Sequence, residues 1–194
     1  MDKYHKIADL ISYFLSPVSI AFYVILILTF SLTKTNNTSE HILLLSTAIF
    51  FLCMTPAIGV LIYTKKGVID IWVSDRKTRT PFYIIAIIGY IVGLVIFYLI
   101  NQHEFFVFTL AYLLVTIVLT LLNLKTKMSS HAAGLTGPLT AILYLFGIHA
   151  LPLFLFLPLL IWARLKLNAH SRAQLLGGSI IGVIVTYSTY LLFH

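Results

Sequence analysis

Apolar residues in this chain occur in long unbroken runs, and this feature decides which folds are open to it. Hydrophobic residues make up 60% of the 194 positions and charged residues only 10%, whereas a soluble domain carries about a quarter charged residues. A segment that crosses a membrane needs about 20 apolar residues and must satisfy its own backbone hydrogen bonds, as a helix does. The sequence therefore predicts an all-α fold, a polytopic membrane helix bundle built as a single domain over residues 1–194.

Seven apolar segments are predicted, and they lie at about 17–33, 41–63, 82–100, 105–124, 131–147, 149–164 and 174–193. The fifth and sixth are short and contain glycine and proline, so they form either two tilted spans joined by a turn near Gly147 or a partly re-entrant segment. This gives six to seven transmembrane helices, with seven favoured. Residues 1–16 carry apolar side chains at helical spacing beside Lys3 and Lys6, which indicates an interfacial helix.

Basic residues collect on one side of the predicted bundle. With seven spans, that side carries the N-terminus and residues 64–81, 125–130 and 165–173. Of the 13 Lys and Arg residues, all but Lys34 lie there. The positive-inside rule would explain this bias and would make the side cytoplasmic. A phosphate-binding site would also collect cations, so the sequence leaves the membrane side of the site open.

Three polar islands interrupt the apolar sequence on the basic side. They are Asp75–Pro81, Lys127–His131, and the set Arg164, His170 and Gln174. Gln174 follows His170 by four residues, so both lie on one helical face. Gln174 can then accept a hydrogen bond from one ring nitrogen of His170 and leave the other nitrogen free to attack.

The residue types in these islands suit phosphoryl transfer. An arginine guanidinium matches two phosphate oxygens, and a lysine adds a point charge. Ser129 is placed to cap the helix that begins near His131, where backbone N–H groups and the helix dipole favour an anion. Neutral imidazole serves as a nucleophile and as an acid–base group near neutral pH.

The islands resemble the three signature motifs of the type 2 phosphatidic acid phosphatase superfamily, in particular a compact bacterial branch. The third motif, S-R-x-x-x-x-x-H-x-x-x-D, reads here as Ala163-Arg164, five residues, His170, three residues and Gln174. The second motif, P-S-G-H, reads as Met128-Ser129-Ser130-His131. The first motif, K-x-x-x-x-x-x-R-P, is matched only by Arg79-Thr80-Pro81, with Trp72 where the lysine would stand. Residues 125–182 carry most of the likeness.

The resemblance implies roles for individual residues. His170 corresponds to the nucleophile that forms a phosphohistidine, His131 to the acid that protonates the leaving oxygen, and Arg164 to a phosphate clamp. The remaining phosphate-binding residues are expected to be Arg76, Lys77, Arg79, Lys127, Ser129 and Ser130. Such a mechanism needs no metal ion and no cofactor. Gln174 stands where much of the family has an acid, and Asp75 is a candidate for a compensating carboxylate if its loop folds over the site.

The sequence thus predicts metal-independent dephosphorylation of a lipid phosphate or pyrophosphate, of the phosphatidic acid, phosphatidylglycerol phosphate or isoprenoid pyrophosphate class. Two alternatives stay open: a lipid head-group phosphotransferase, and a non-catalytic protein that binds lipid or transports a small solute. Magnesium-dependent lipid transferases need clusters of carboxylates, and this chain has six Asp and Glu in total. The expected partners are the bilayer and a lipid phosphate in it, without nucleic acid. The resemblance to a bacterial branch of the family implies a location in the inner membrane. The sequence does not indicate the oligomeric state.

Overall fold

The structure, a computed structural model, describes residues 2–33, 37–70, 72–73 and 75–194. These residues contain helices and turns and no β-strand, which confirms the predicted all-α class. The described part of the chain holds nine α-helices: α1 Lys3–Phe14, α2 Pro17–Leu32, α3 Thr38–Ile49, α4 Thr55–Lys65, α5 Thr80–Leu99, α6 His103–Asn123, α7 Ser130–Phe146, α8 Phe156–Lys166 and α9 Arg172–Phe193.

Three shorter elements complete the described fold. A π-helical turn, Phe50–Met54, joins α3 to α4 without a break, so that the two form one long helix. A 3-10 turn, Arg76–Thr78, precedes α5, and a 3-10 segment, Gly147–Leu155, joins α7 to α8. The predicted apolar segments therefore recur as helices whose ends lie within a few residues of the expected positions.

Within the described ranges, five helices are long and apolar enough to cross a membrane. They are Thr38–Lys65, Arg76–Leu99, His103–Asn123, Ser130–Lys166 and Arg172–Phe193. The pair α1 and α2, which bends by 44°, would add a sixth span. This count takes Ser130–Lys166 as one span, so it reaches six, the lower of the two predicted numbers, and not the favoured seven. The membrane helix bundle is confirmed.

The long helical run Ser130–Lys166 folds back on itself. The ring of His131 and the guanidinium of Arg164 both lie 5.3 Å from the ring of Trp72, although a straight helix would separate positions 131 and 164 by roughly 50 Å. Gly147, with φ +70°, provides the left-handed backbone at the turn. The predicted turn near Gly147 is thus present, and it returns Arg164 to the end of the bundle where α7 begins.

Small residues let α7 and α9 pack closely. A Cβ at Gly178 would run into the backbone carbonyl of Ser129, and one at Gly182 would meet the carbonyl of Ala133. Such small-residue contacts are typical of membrane helix pairs. The hydroxyl of Thr136 also donates a hydrogen bond across the interface to the Ser179 carbonyl at 3.0 Å. The second and third islands are therefore held side by side at the starts of two packed helices.

The two ends of the bundle differ as predicted. At one end, α1 joins the basic loops: Asp2 pairs with Lys166 at 3.4 Å, and Asp9 accepts a hydrogen bond from Trp72 Nε1 at 3.2 Å. At the other end, Glu104 pairs with His194 at 3.1 Å. The amphipathic helix predicted over residues 1–16 is present as α1. Lys34, predicted on the less basic side, lies outside the described residues.

Substituting Gly182 with alanine tests the contact between α7 and α9. The added methyl group would meet the hydroxyl of Thr136 first and the backbone of Ala133 and Gly137 next, and this backbone cannot move aside, so Gly182→Ala is expected to lower the free energy of unfolding by about 1–3 kcal/mol. Thermal unfolding in detergent measures the change. The matched control is Gly177→Ala on the same helix, where the methyl group meets only the flexible Met128 side chain. Equal melting temperatures for the two variants would contradict this packing.

Candidate active site

Hydrogen bonds to the backbone join the three polar islands into one cluster. They are Arg79 Nη1 to Met128 O at 3.2 Å, Ser129 N to Gln174 O at 3.2 Å, and Lys127 Nζ to Ala169 O at 2.8 Å. Each island is therefore bonded to another, although the first and third are separated by more than 80 positions in the sequence. The side chains of His131, Arg79, Arg164 and His170 lie close enough for their charges to interact.

Arg79 is buried, with 4% of its surface exposed, and the backbone fixes its guanidinium. Its Nε donates to the Val73 carbonyl at 2.7 Å, and its Nη1 donates to the Met128 carbonyl. Val73 has φ +46°, a left-handed conformation that is costly for a β-branched residue. The loop before α5 thus adopts a strained backbone conformation at the residue whose carbonyl holds Arg79.

Arg164 is the largest fully buried side chain of the described residues, with 1% exposed. Its guanidinium lies 5.3 Å from the Trp72 ring, in a cation–π contact. Its Nε and Nη1 have no hydrogen-bond partner within the described part of the chain. Neither Arg164 nor Arg79 belongs to an ion pair with a carboxylate among these residues. Buried donors of this kind are costly unless an anion accepts from them.

His131 lies in the first turn of α7, with 6% of its surface exposed. Its Nε2 has no partner among the described residues, and its ring packs edge-to-face on Trp72 at 5.3 Å. Ser129 caps α7, since its Oγ accepts the Ala132 N–H at 3.3 Å. The predicted cap is confirmed, and the start of α7 points backbone donors and dipole toward the cluster.

His170 and Gln174 form the hydrogen bond that their spacing predicts. Gln174 Oε1 accepts the backbone N–H of Ser171 at 3.1 Å, which identifies this atom as the oxygen. The same oxygen lies 3.2 Å from His170 Nδ1, so Nδ1 carries the proton. The lone pair of Nε2 is then free. Gln174 also completes a capping box with Ser171, which fixes it at the start of α9.

The cluster keeps the ligand-free His170 neutral. Burial is the main cause that lowers its pKa, from 6.5 to about 3, and the charges of Arg79, Lys127 and Arg164 lower it further. The hydrogen bond to Gln174 acts weakly in the opposite direction. Burial also lowers the pKa of Lys127, again with contributions from Arg79 and Arg164. An anion bound among these groups would reverse the electrostatic part of both shifts.

Three predicted residues of the first island are exposed or bonded to other partners. Arg76 Nη1 donates to the Asn123 carbonyl at 2.7 Å, and Lys77 is exposed. The exposed Asp75 caps the 3-10 turn, because its carboxylate accepts the Lys77 N–H at 3.0 Å. Gln174 is the residue that lies within hydrogen-bond distance of His170, and the compensating role expected of Asp75 stays a prediction. Arg79 is the cation of this island that reaches the cluster.

Trp72 is the site residue that the sequence did not single out as functional. Its ring touches both Arg164 and His131, and its Nε1 donates to Asp9 on α1. The only signal was its position, seven residues before Arg79, where the first motif of the resembled family has lysine. The indole of Trp72 places an uncharged surface between the side chains of Arg164 and His131.

Two cavities meet at Trp72. A polar cavity of about 280 Å³ is lined by Trp72, Lys127, Arg164 and residues of α1. An apolar cavity of about 200 Å³ runs into the bundle from Ser130, which is partly buried, and from His131. The site thus offers one polar and one hydrocarbon-lined approach to the same group of cations.

Compared with models of protein families, with curated proteins and with solved structures, the chain matches none. Inferences about function therefore rest on the geometry of the site and the chemistry of its residues.

The protonation state of His170 can be measured directly. In the ligand-free protein its imidazole is expected to stay neutral as the pH falls from 7 to about 4, because its folded pKa is about 3. The unfolded chain would bind this proton near pH 6.5, so His170 contributes a loss of stability as the pH falls from 6.5 toward 3. Histidine NMR, assigned with His170→Ala, provides the readout. Titration near pH 6.5 would contradict the burial described above.

Replacing the buried guanidinium of Arg164 should stabilise the empty protein. Arg164→Met keeps an unbranched but shorter apolar side chain and removes two unpartnered donors, so the free energy of unfolding is expected to rise by about 1 kcal/mol after the loss of the cation–π contact. The same variant is expected to lose stabilisation by added phosphate. Thermal melting with and without phosphate tests both effects. The control is Lys166→Met, two residues later and paired at the surface with Asp2.

Proposed function

We propose that this protein is a membrane phosphatase that removes phosphate from a lipid phosphate or pyrophosphate through a phosphohistidine at His170. The observation that carries the proposal is the convergence of two histidines and two arginines in one buried cluster. The members come from three distant segments, namely Arg79, His131, and the pair Arg164 and His170. The resemblance of the same residues to a family of lipid phosphatases supports this reading, and also a place in the bacterial inner membrane.

The cations account for binding of the phosphate group. Placing charged guanidinium groups in a bundle of apolar helices without carboxylate partners costs several kcal/mol per ion. A phosphate would accept from Arg164 Nε and Nη1, from Arg79 and from the N–H groups at the start of α7. The unpartnered donors and the absence of ion pairs at both arginines in the described residues support an anionic ligand.

The histidines account for the chemistry. In the first step, the Nε2 lone pair of His170 attacks phosphorus, the N–P bond forms and the bond to the leaving oxygen breaks. His131, which must carry a proton on both ring nitrogens once the anionic phosphate is bound, donates one of them to that oxygen, and the oxygen leaves as the lipid alcohol or lipid monophosphate. In the second step, His131 takes a proton from water, the oxygen attacks phosphorus and the N–P bond breaks. Inorganic phosphate is released and both histidines return to their starting states.

Gln174 has a defined part in this scheme. Its oxygen holds the Nδ1 proton of His170, so that Nε2 faces the phosphate in the reactive tautomer. As a neutral amide it gives the positive ring of the intermediate less electrostatic support than a carboxylate would. We therefore propose a modest turnover rate, with the bound phosphate as the main counter-charge.

Phosphate release from a panel of lipid phosphates and pyrophosphates tests the proposal. Turnover by purified protein is expected to persist in EDTA and to fall at least about a thousandfold in His170→Ala, because the nucleophile is lost. Turnover by His131→Ala should also fall strongly with substrates that have poor leaving groups. The matched control is His149→Ala at the exposed turn far from the cluster, which should retain full activity.

A trapping experiment separates this mechanism from others. Rapid quenching with radiolabelled substrate should leave an acid-labile label on His170, and more label should accumulate in His131→Ala if hydrolysis of the intermediate slows. Turnover that EDTA abolishes and that His170→Ala retains would disprove the mechanism. Lipid binding without turnover on every substrate tried would leave a non-catalytic lipid-binding protein.

A further inference from the structure

The apolar cavity is continuous with the cluster and lies inside the bundle. Its mouth is formed by Trp72, Arg79, Ser130 and His131, and its walls come from α2, α4, α5, α6, α7 and α9. The mouth carries one cation, Arg79, and lies across Trp72 from Lys127 and Arg164, which line the polar cavity, while the walls are mostly apolar. This arrangement complements a molecule with an anionic head and a hydrocarbon tail.

The cavity reaches about the middle of the bilayer. On α5 its lining runs from Arg79 past Ala86 to Tyr90, and eleven helical positions correspond to roughly 16 Å. The hydrocarbon region of a membrane is about 30 Å thick. The deepest lining residues form an aromatic floor: Tyr112 lies 5.8 Å from Tyr90 and 5.0 Å from Phe108, measured between ring centroids. A tail that enters at His131 would end at this floor.

The volume of the cavity is suited to one chain. The cavity has a volume of about 200 Å³. At about 10–15 Å³ for each water-sized group, it would hold roughly fifteen of them. A methylene is close to this size, so one chain of medium length would fill the cavity from mouth to floor. The cavity is partly open to the outside, so the second chain of a glycerolipid would lie outside the space that the first chain fills.

We propose that the substrate carries its phosphate or pyrophosphate on a single hydrocarbon chain of medium length that enters this cavity and stops at the aromatic floor. The inference rests on the proposed function for the position of the phosphate at the cluster. A linear alkyl chain and a branched isoprenyl chain share this chemistry, and the experiment compares them.

Photolabelling locates the chain without requiring turnover. Alkyl phosphonates and isoprenyl phosphonates would carry a diazirine at increasing distances from the head group. Diazirines near the head are expected to label Phe82 and Ala86, and those near the chain end should label Tyr90, Phe108 and Tyr112. Mass spectrometry identifies the labelled positions. The chemical class that labels the floor more efficiently is the better match to the natural tail.

A matched pair of variants tests whether the cavity is used. Ala86→Phe fills the cavity midway and is expected to lower labelling of the floor at least about tenfold, whereas Ile88→Phe, whose side chain faces outward on the same helix, should leave it unchanged. Ala111→Leu narrows the cavity from α6 and serves if Ala86→Phe does not fold. For turnover, Ala86→Phe should reduce hydrolysis of the single-chain substrate and spare a phosphate ester too short to reach position 86.

The outcomes separate this inference from the proposed function. Floor labelling with turnover of single-chain phosphates supports both. A second outcome is labelling confined to outward residues such as Ile84 and Ile88, with equal hydrolysis of one-chain and two-chain lipids. This result would overturn the single-chain cavity but not the proposed phosphatase activity. Floor labelling without hydrolysis of any phosphate overturns the phosphatase and leaves a binding site for a single anionic chain.

Discussion

The burial of two arginine side chains without carboxylate partners is the constraint on which the rest of the site depends. A guanidinium inside an apolar bundle costs several kcal/mol unless other groups compensate, and here the compensation comes from uncharged groups. The carbonyls of Val73 and Met128 fix Arg79, and the ring of Trp72 lies against Arg164. These partners orient the cations without carrying a negative charge, and the carboxylates of Asp9 and Asp70 offset part of the charge of Arg164. The small-residue contact between α7 and α9 then keeps the arrangement in place, since the two remaining islands begin these helices.

The positive charge of the cluster also acts on His170, the proposed nucleophile. Arg79, Lys127 and Arg164 help to keep the ligand-free His170 neutral, so its Nε2 lone pair would be available to a phosphate. In the proposed reaction, the bound phosphate would cancel much of this repulsion, and the ring could then tolerate the positive charge that develops on attack. A neutral Gln174 fits this logic, because a carboxylate at that position would compete with the phosphate for the cations. The cost is weaker support of the charged ring, which the ligand itself must supply.

The sequence predicted those features that local spacing determines. Apolar runs located the helices, Gly147 the turn between α7 and α8, and the four-residue spacing of His170 and Gln174 their hydrogen bond. The convergence of the three islands was expected because all of them lie on the same side of the predicted bundle. The sequence analysis did not predict that Asp75 caps its own turn, although a carboxylate two residues before a backbone N–H can form this local bond. The contacts of Trp72 with Asp9, His131 and Arg164 could not be predicted, because tertiary packing of an irregular loop brings these distant segments together and leaves no periodic signal in the sequence.

Trp72 also explains how a charged cluster can open onto a hydrocarbon-lined cavity. A lysine at this position, as in the motif that the first island resembles, would add another buried cation beside Arg164 and Arg79 and would need hydration or a further anion. The indole instead offers its negative face to Arg164 and its apolar surface to the cavity, and its one polar atom is satisfied by Asp9. One side chain therefore forms the boundary between the polar and apolar approaches. A ligand that has an anionic head directly attached to a hydrocarbon chain would match both sides of that boundary, which is the physical link between the proposed phosphatase chemistry and the single-chain cavity.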